Sequence, residues 1–206
     1  MIRTPRRRAL CAVVVPLVVA ALAAGCATTP RPSAEPLADP VTFLQSRERF
    51  ELEGRVAGAV GGEGFNAQLD LKQRGAESEL VLRSPLGFGS ATIRTDGQRL
   101  EYRSSRGDVL EGDEGLAAIA ARLGFEPPVR SLRYWLMGVP DPGGTAPVIG
   151  EGAPPGSFEQ QGWRVSVAEW KPTTVPAGVV PLPRRITLER PPVRLRVVVD
   201  EWKLDR

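Results

Sequence analysis

From residue 50 onward, apolar and polar side chains alternate with a period of two through most of the chain. In the first such run Phe50, Leu52 and Val56 are separated by acidic and basic side chains. Successive side chains of a strand point to opposite faces, so the pattern predicts antiparallel strands with one apolar face and one polar face. Further runs of this kind lie at about 65–71, 78–84, 90–95, 98–103, 108–111, 158–170, 184–190 and 193–202.

Short helical patterns interrupt the strands. Apolar residues at 113–123 have i, i+3, i+4, i+7 spacing and are followed by Gly124, and a second apolar face at 132–136 ends at Gly138. Capping residues also predict a short helix at 41–49. We therefore predict a mainly β fold, an incomplete antiparallel β-barrel of about 10–11 strands with a lid of short α-helices across its open side.

The N-terminus has the organisation of a bacterial lipoprotein signal. Residues 1–8 contain four arginines and no acid, residues 9–24 are uncharged and almost wholly apolar, and Gly25-Cys26 follows. The alternative is a membrane anchor, but a 16-residue run with an internal proline is short for a spanning helix. We predict a signal peptide at 1–25 and a flexible, proline-rich tether at 26–40 before a domain at 41–206. Ala23-Ala24-Gly25-Cys26 resembles the lipobox of bacterial lipoproteins, and this resemblance implies acylation of Cys26.

Composition excludes several classes of function. The first 25 residues hold four of the 27 basic residues and none of the 24 acids, which leaves 23 basic and 24 acidic residues and a net charge of −1. This balance gives no support to nucleic-acid binding. The sequence has no histidine, which excludes Ser-His and Cys-His catalysis and histidine metal sites. The dispersed acids offer no general acid and base pair, so we predict no catalytic residue, metal or cofactor.

Two features leave alternatives open. The connection Ser84–Gly89 contains Leu86 and Phe88, and from these residues alone burial as core plugs is favoured over exposure. Trp135 and Trp163 are predicted to be buried, either in a packed core or lining a ligand cavity. Arg-Gly-Asp at 106–108 matches an adhesion motif, but ordinary turn chemistry explains it better.

Several short motifs, taken together and in order, resemble the LolB family of outer-membrane lipoprotein receptors. The segments that carry the resemblance are Gly54-Arg55-Val56, Ser84-Pro85-Leu86-Gly87, residues 132–138, residues 161–165, residues 182–185 and Glu201-Trp202. The chain departs from the family pattern at Leu71, where an aromatic residue is usual, at Trp170, which replaces a common Tyr, and at 141–157, a part of the 138–157 loop that is unusually rich in Gly and Pro.

The resemblance implies a chaperone-like role in lipoprotein localisation. Such proteins accept the acyl chains of lipoproteins from the periplasmic carrier LolA, hold them in a hydrophobic cavity and insert them into the inner leaflet of the outer membrane. We accordingly expect an outer-membrane lipoprotein that faces the periplasm, acts as a monomer and is not an enzyme. Ala27 after the cysteine agrees with outer-membrane sorting, since it is not the Asp that retains lipoproteins at the inner membrane in enterobacteria.

The same resemblance assigns candidate site residues. Leu86, assisted by Phe88, is implied to project from the barrel and enter the membrane, which reverses the core-plug interpretation. Acyl-chain binding requires an apolar cavity of several hundred cubic ångströms. The competing functions are an envelope lipoprotein whose filled core binds a protein, and a Ser/Lys hydrolase. Candidate lining residues, which alternate inward or repeat at helical spacing, are Leu52, Val56, Leu69, Leu71, Leu80, Leu82, Ile93, Leu100, Leu116, Ile119, Trp135, Ile186, Leu188, Leu195 and Val197.

Overall fold

A computed structural model describes residues 35–60, 63–85 and 89–204 of the chain. The helices in this part of the chain are α1 (Pro40–Gln45), α2 (Gly112–Leu123) and α3 (Leu132–Trp135). The strands are β1 (Arg49–Val60), β2 (Glu63–Arg74), β3 (Glu77–Arg83), β4 (Ser90–Thr95), β5 (Leu100–Ser104), β6 (Val109–Glu111), β7 (Val148–Ile149), β8 (Ser157–Gln160), β9 (Trp163–Val175), β10 (Gly178–Arg190) and β11 (Val193–Leu204).

The strands form one antiparallel sheet in the order β6-β5-β4-β3-β2-β1-β11-β10-β9-β8-β7. The first and last long strands, β1 and β11, pair with each other along almost their whole length. Strands β1–β6 and β7–β11 are two meanders in which neighbours in sequence are neighbours in the sheet, whereas the consecutive strands β6 and β7 lie at opposite edges. The sheet is open, with β6 and β7 as its two edges. The prediction of an incomplete, mainly antiparallel β architecture is confirmed.

The hydrophobic core lies on one face of this sheet. Leu52 on β1, Leu182 on β10 and Trp135 on α3 have no exposed surface and belong to one cluster. A second, smaller cluster of Ile93, Tyr102 and residues of α2 lies beside it. The sheet must curl for side chains from β1, β2 and β8–β11 to share one core. The period-two pattern of the strands and the helical spacing of the lid both place their apolar side chains on this core.

One predicted strand, at 158–170, is in fact two. A tight turn at Gln161 and Gly162 separates β8 from β9, and both residues have positive φ, 54° and 76°. Such left-handed pairs suit two-residue hairpins, because their twist matches that of the flanking strands. The prediction was wrong because a two-residue turn returns the chain to the same face, so buried residues recur on both sides of it. The short strand β7 lies within the predicted loop at 138–157 and is too short to show alternation.

The helices begin and end largely where their capping residues predict. The Asp39 carboxylate accepts a hydrogen bond from the backbone N–H of Thr42 at 3.0 Å, and hydrogen bonds from the side chain and the backbone of Thr42 lower the pKa of Asp39. Helix α1 ends at Gln45 instead of 49 because β1 begins at Arg49. Helix α2 is closed by Gly124, whose φ of 76° only glycine adopts readily. Among the described residues, no helix has the length and apolarity needed to cross a membrane.

Residues 35–37, which the sequence assigned to the tether, join the sheet. The Leu37 N–H donates to the carbonyl of Val179 at 3.0 Å, and the Val179 N–H donates to the carbonyl of Glu35 at 2.8 Å. Residues 35–206 form one compact unit, and the core lies wholly within it. This unit therefore contains the apolar contacts that it needs to fold by itself.

The antiparallel register gives the sheet two ends. At the tether end lie Glu35–Leu37, the start of β1, the end of β11 and the turn that joins β9 to β10. At the opposite end, the loop end, lie the connections that follow β1, β3, β5, β8 and β10. The predicted membrane-insertion loop at 84–90 therefore joins its strands at the loop end, opposite to the point where the tether meets the domain.

Candidate functional site

A small apolar void lies between the core face of the sheet and the helical segments. Its volume is about 60 Å³, and a smaller extension of about 20 Å³ continues beneath α3. Since every side chain that lines the main void of about 60 Å³ is apolar, that void offers water no hydrogen-bond partners and suits an apolar group. The lining residues are Val56, Phe65, Leu69, Leu80, Leu82, Ile93, Leu188, Leu195 and Val197 from the sheet, with Leu123, Phe125, Pro127, Val129, Leu132 and Leu136 from the helical segments.

The structure brings together about half of the lining residues predicted from the sequence. Val56, Leu69, Leu80, Leu82, Ile93, Leu188, Leu195 and Val197 line the void. Leu52, Leu71, Trp135 and Ile186 are buried in the main core, where Leu71 reaches only the small extension. Leu100 and Ile119 belong to the second cluster, and Leu116 is half-buried.

Sequence reasoning missed the residues between the two lid helices. We name residues 124–130 the strap, because they cross the core face between α2 and α3. Every second residue of the strap lines the void, namely Phe125, Pro127 and Val129. This spacing identifies them as lining residues only once the strap is known to lie on the sheet. Phe65 was also missed, although it continues the alternation of Leu69 and Ala67 along β2.

The void is much smaller than the several hundred cubic ångströms that we expected. The strap and α3 pack directly onto the sheet, and Phe125 is only 9% exposed. The ring centroids of Trp135 and Trp163 lie 6.3 Å apart. Both residues belong to the packed core and do not line the void. An acyl chain therefore needs displacement of the strap or of neighbouring side chains before it fits.

Few polar interactions hold the strap. Within the described residues, one hydrogen bond joins it to a strand, from Nη2 of Arg190 to the carbonyl oxygen of Glu126 at 3.2 Å. The Arg190 guanidinium also lies 4.8 Å from the centroid of the Trp163 ring, against which Phe125 packs at 5.9 Å. Segments with so few backbone hydrogen bonds to their surroundings open at low free-energy cost.

A buried glutamine fixes α3, by contrast, much more firmly. The Gln160 side chain, 2% exposed, accepts hydrogen bonds from Nε1 of Trp135 and from the backbone N–H of Asp141, both at 2.9 Å. Its amide nitrogen donates to the carbonyls of Asp141 at 2.8 Å and Thr145 at 2.7 Å. The carboxylate of Asp141 in turn accepts from the Ser131 hydroxyl at 2.7 Å. The Gly- and Pro-rich loop is thus tied to α3 through a fully hydrogen-bonded amide.

The tether end of the core is sealed. Phe50 is 2% exposed and packs on Trp202, with 5.9 Å between ring centroids. Nε1 of Trp202 donates to the carbonyl of Pro183 at 2.8 Å, and Leu44 of α1 is buried against the same cluster. These contacts close the core beside β1 and β11 at the tether end.

A concavity of about 700 Å³ shares no lining residue with the void, although Ser78 and Thr95 border both it and the small extension. It is lined mainly by charged side chains of β2–β5, including Lys72, Glu79, Arg94 and Glu101. Arg94 donates from Nε to Glu79 at 2.7 Å, which raises the pKa of Arg94. These charges pair across neighbouring strands in high dielectric, so this surface is a solvated face rather than a lipid site.

Three predicted site residues, Cys26, Leu86 and Phe88, lie outside the described residues. The base of the 84–89 connection is described, and there the backbone N–H of Ser84 donates to the carbonyl of Gly89 at 2.9 Å. This bond lies next to the last pair of the β3–β4 ladder, in which Arg83 is opposite Ser90.

Comparisons with known proteins agree with the sequence motifs. Residues 48–202 match the family model described as outer membrane lipoprotein LolB. Relatives described as outer-membrane lipoprotein LolB include one from Alkalilimnicola ehrlichii, 32% identical over 91% of this chain and 96% of its own length, and one from Nitrosococcus oceani, 33% identical over 94% and 98%. Among solved structures, a LolA superfamily protein from Nitrosomonas europaea is similar in fold, with a TM-score of 0.52 at 10% identity over 81% of this chain and 92% of that one.

Proposed function

The chain belongs to the LolB family of outer-membrane lipoproteins, and from that premise we propose that it takes lipoproteins from LolA and inserts them into the outer membrane. In this proposal the acyl chains of the cargo enter the space between the sheet and the strap. The protein acts as a binding and transfer factor, without catalysis. The observation that carries the proposal is the void, because all fifteen of its lining side chains are apolar.

The physical basis is the poor solubility of acyl chains in water. Each methylene transferred from water to an apolar environment gains about 0.8 kcal/mol, so a sheet face lined by leucine, isoleucine and valine is a favourable site for a chain of many methylenes. The strap provides a removable wall, since Arg190 supplies its one hydrogen bond to a strand within the described residues. Transfer then needs no nucleotide if each site in the sequence binds acyl chains more tightly than the last.

The proposed location follows from the lipid anchor and from the relatives. Acylation at Cys26 holds the protein on the periplasmic face of the outer membrane, in agreement with relatives described as outer-membrane lipoproteins. Two or three acyl chains on one cysteine make a stable anchor. Leu86 then has a different task, namely to enter the bilayer during delivery and to direct the opening of the cavity toward it.

A two-step transfer assay tests this function. Fluorescent lipopeptide is first passed from LolA to the receptor and then from the receptor to liposomes. We expect Leu86→Glu to leave the first step intact and to slow the second, because a carboxylate resists entry into a bilayer. Val148→Glu is the matched control, since Val148 is 71% exposed and apolar but lies on edge strand β7. Equal delivery by both variants would show that Leu86 has no insertion role, and a large fall in the melting temperature of Leu86→Glu would show that Leu86 is core.

The small volume of the void favours one competing function, an envelope lipoprotein with a packed core that binds another protein. The two functions differ in one measurable property, the binding of an acyl chain. We expect the domain to bind fluorescent palmitic acid in competition with unlabelled lipopeptide. A domain that shows no saturable binding would support the competing function.

A further inference from the structure

Phe65 has an unusual place in the sheet. In the ladder between β1 and β2 it lies directly opposite Gly58, and Gly58 lies opposite Leu195 on β11. A Cβ atom at Gly58 would lie 2.2 Å from Cε1 and Cζ of the Phe65 ring and 3.0 Å from Cδ2 of Leu195. The ring therefore occupies the space above the glycine where a side chain would otherwise stand. Glycine in a strand interior weakens the strand and commonly marks such a close approach.

The ring stands at the loop-end boundary of the core face. Strand β3, the neighbour of β2, ends at Arg83 opposite Gln68, so Phe65 lies three residues beyond the last pair of that ladder. Phe65 consequently lies beyond the described end of β3 and is not paired in that ladder.

Phe65 both lines the void and keeps part of its surface exposed. It is one of the two aromatic residues that line the void, and it is half-buried whereas the other, Phe125, is buried. Leu82, which lines the void toward the loop end of β3, is also half-buried, whereas Phe50 and Trp202 close the core beside β1 and β11 at the tether end.

We propose that Phe65 is the gate of the acyl-chain cavity, and that its ring, seated over Gly58, closes the exit beside the 84–89 connection. This inference rests on the proposed function and adds to it the place where an acyl chain passes. The small side chains at Gly58 and Ala67 give the ring a seat from which rotation about χ1 displaces it without a change in the backbone. Cargo then leaves next to the loop that carries Leu86.

A gate residue and a wall residue, meaning one that only lines the cavity, affect the rates of acyl-chain binding differently. Removing a wall residue alters affinity, chiefly through the dissociation rate, whereas removing a gate accelerates entry and exit together and leaves the ratio of the two rates almost unchanged. The probe is fluorescent palmitic acid, mixed by stopped flow with the unacylated chain from Ala27 to Arg206, which contains the whole compact unit. Thermal melting of each variant establishes that it is folded.

Two variants act on the gate in different ways. Phe65→Ala removes the ring, and Gly58→Ala displaces it, since its new Cβ takes the seat while the apolar ring remains. We expect both to raise the association and dissociation rate constants by about threefold or more, with the Kd changed by less than about threefold. Leu80→Ala is the matched control, because Leu80 is also half-buried and lines the void but lies deeper along β3.

The outcomes separate the gate from the function on which it rests. Faster entry and exit in the two gate variants, with unchanged entry in Leu80→Ala, supports the gate. A weaker Kd at an unchanged association rate in Phe65→Ala, as in Leu80→Ala, would overturn it and make Phe65 a wall residue. If Gly58→Ala does not fold, Phe65→Leu, which shortens the side chain but keeps it apolar, takes its place with the same expected direction. Absence of any binding by the unaltered chain would overturn the proposed function itself.

Discussion

Replacement of Gln160 by methionine is expected to destabilise the protein by roughly 3 kcal/mol. Methionine has a similar length, so the change removes four hydrogen bonds while leaving the volume nearly filled. The indole N–H of Trp135, a residue with no exposed surface, is left without its partner, at a cost of about 1–3 kcal/mol. The backbone groups of Asp141 and Thr145 are nearer to solvent, so the loss of each of their hydrogen bonds to Gln160 lowers the stability by about 0.5 kcal/mol.

Urea unfolding followed by tryptophan fluorescence measures the change. For a domain of this size each kcal/mol shifts the melting temperature by about 2–4 °C, so Gln160→Met should melt roughly 6–12 °C lower. Gln68→Met is the control, because Gln68 is an exposed strand residue and its replacement should alter the stability by less than about 0.5 kcal/mol. In a Trp135→Phe background, which has no indole N–H to orphan, Gln160→Met should cost less than it does alone.

A loss of less than about 1 kcal/mol for Gln160→Met would refute the reasoning, since it would mean that water or a rearranged loop replaces the network. The same variant bears on function. If the network fixes α3 while the strap moves, Gln160→Met should speed hydrogen exchange of the backbone amides at 132–145 as well as those of the strap.

Other regions of the molecule yield independent predictions. Cys26→Ala should abolish labelling by radioactive palmitate and recovery in the outer-membrane fraction, and persistent labelling would place the lipid elsewhere. Arg190→Gln should speed amide exchange in the strap with little change in melting temperature, because it removes the contact with the Glu126 carbonyl; unchanged exchange would mean that apolar contacts alone hold the strap. Melting temperature should be nearly constant from about pH 8 to 5, since there is no histidine, and fall below about pH 4. Hydrogen bonds lower the pKa of Asp39 and Glu53. The contribution of these two carboxylates to folding stability is therefore present above the ordinary carboxyl pKa and is lost as the pH falls through the lowered pKa values.

The sequence predicted the strands well because one face of the sheet is buried and the other solvated. Alternation such as that of Leu69 and Leu71 with Asp70 and Lys72 allows only one orientation of β2. The turn between β8 and β9 was missed for a related physical reason. A two-residue hairpin keeps Gln160 and Trp163 on the buried face, so buried residues continue on both sides of the turn and the reversal shows as a change of phase, from Phe158 at an even position to Trp163 and Val165 at odd positions.

The site was predictable only in part, because lining a void depends on three-dimensional packing that periodicity does not encode. Ile186 and Leu188 lie two residues apart on the same buried face of β10, yet only Leu188 reaches the void. Residues 125–129 have a period of two without being a strand, and their role follows from the way α2 and α3 hold the ends of the strap. Gln160 offered no signal at all, since a lone glutamine in a strand is usually exposed.

The discrepancy between the expected cavity and the observed void has an energetic explanation. Unfilled apolar volume destabilises a protein by about 24 cal/mol per Å³, so a preformed cavity of roughly 400 Å³ would cost roughly 10 kcal/mol. That is comparable with the whole stability of a typical domain, about 5–15 kcal/mol. A strap that packs into most of this space avoids the cost, and the void is then only about 60 Å³. In the proposed function an acyl chain of about 14 methylenes would lose roughly 11 kcal/mol if it passed into water, at about 0.8 kcal/mol each, so it stays in apolar surroundings from the carrier to the membrane. A chain that fills the space vacated by the strap removes the cost of an empty cavity, and release of the chain into a bilayer allows the strap to pack again.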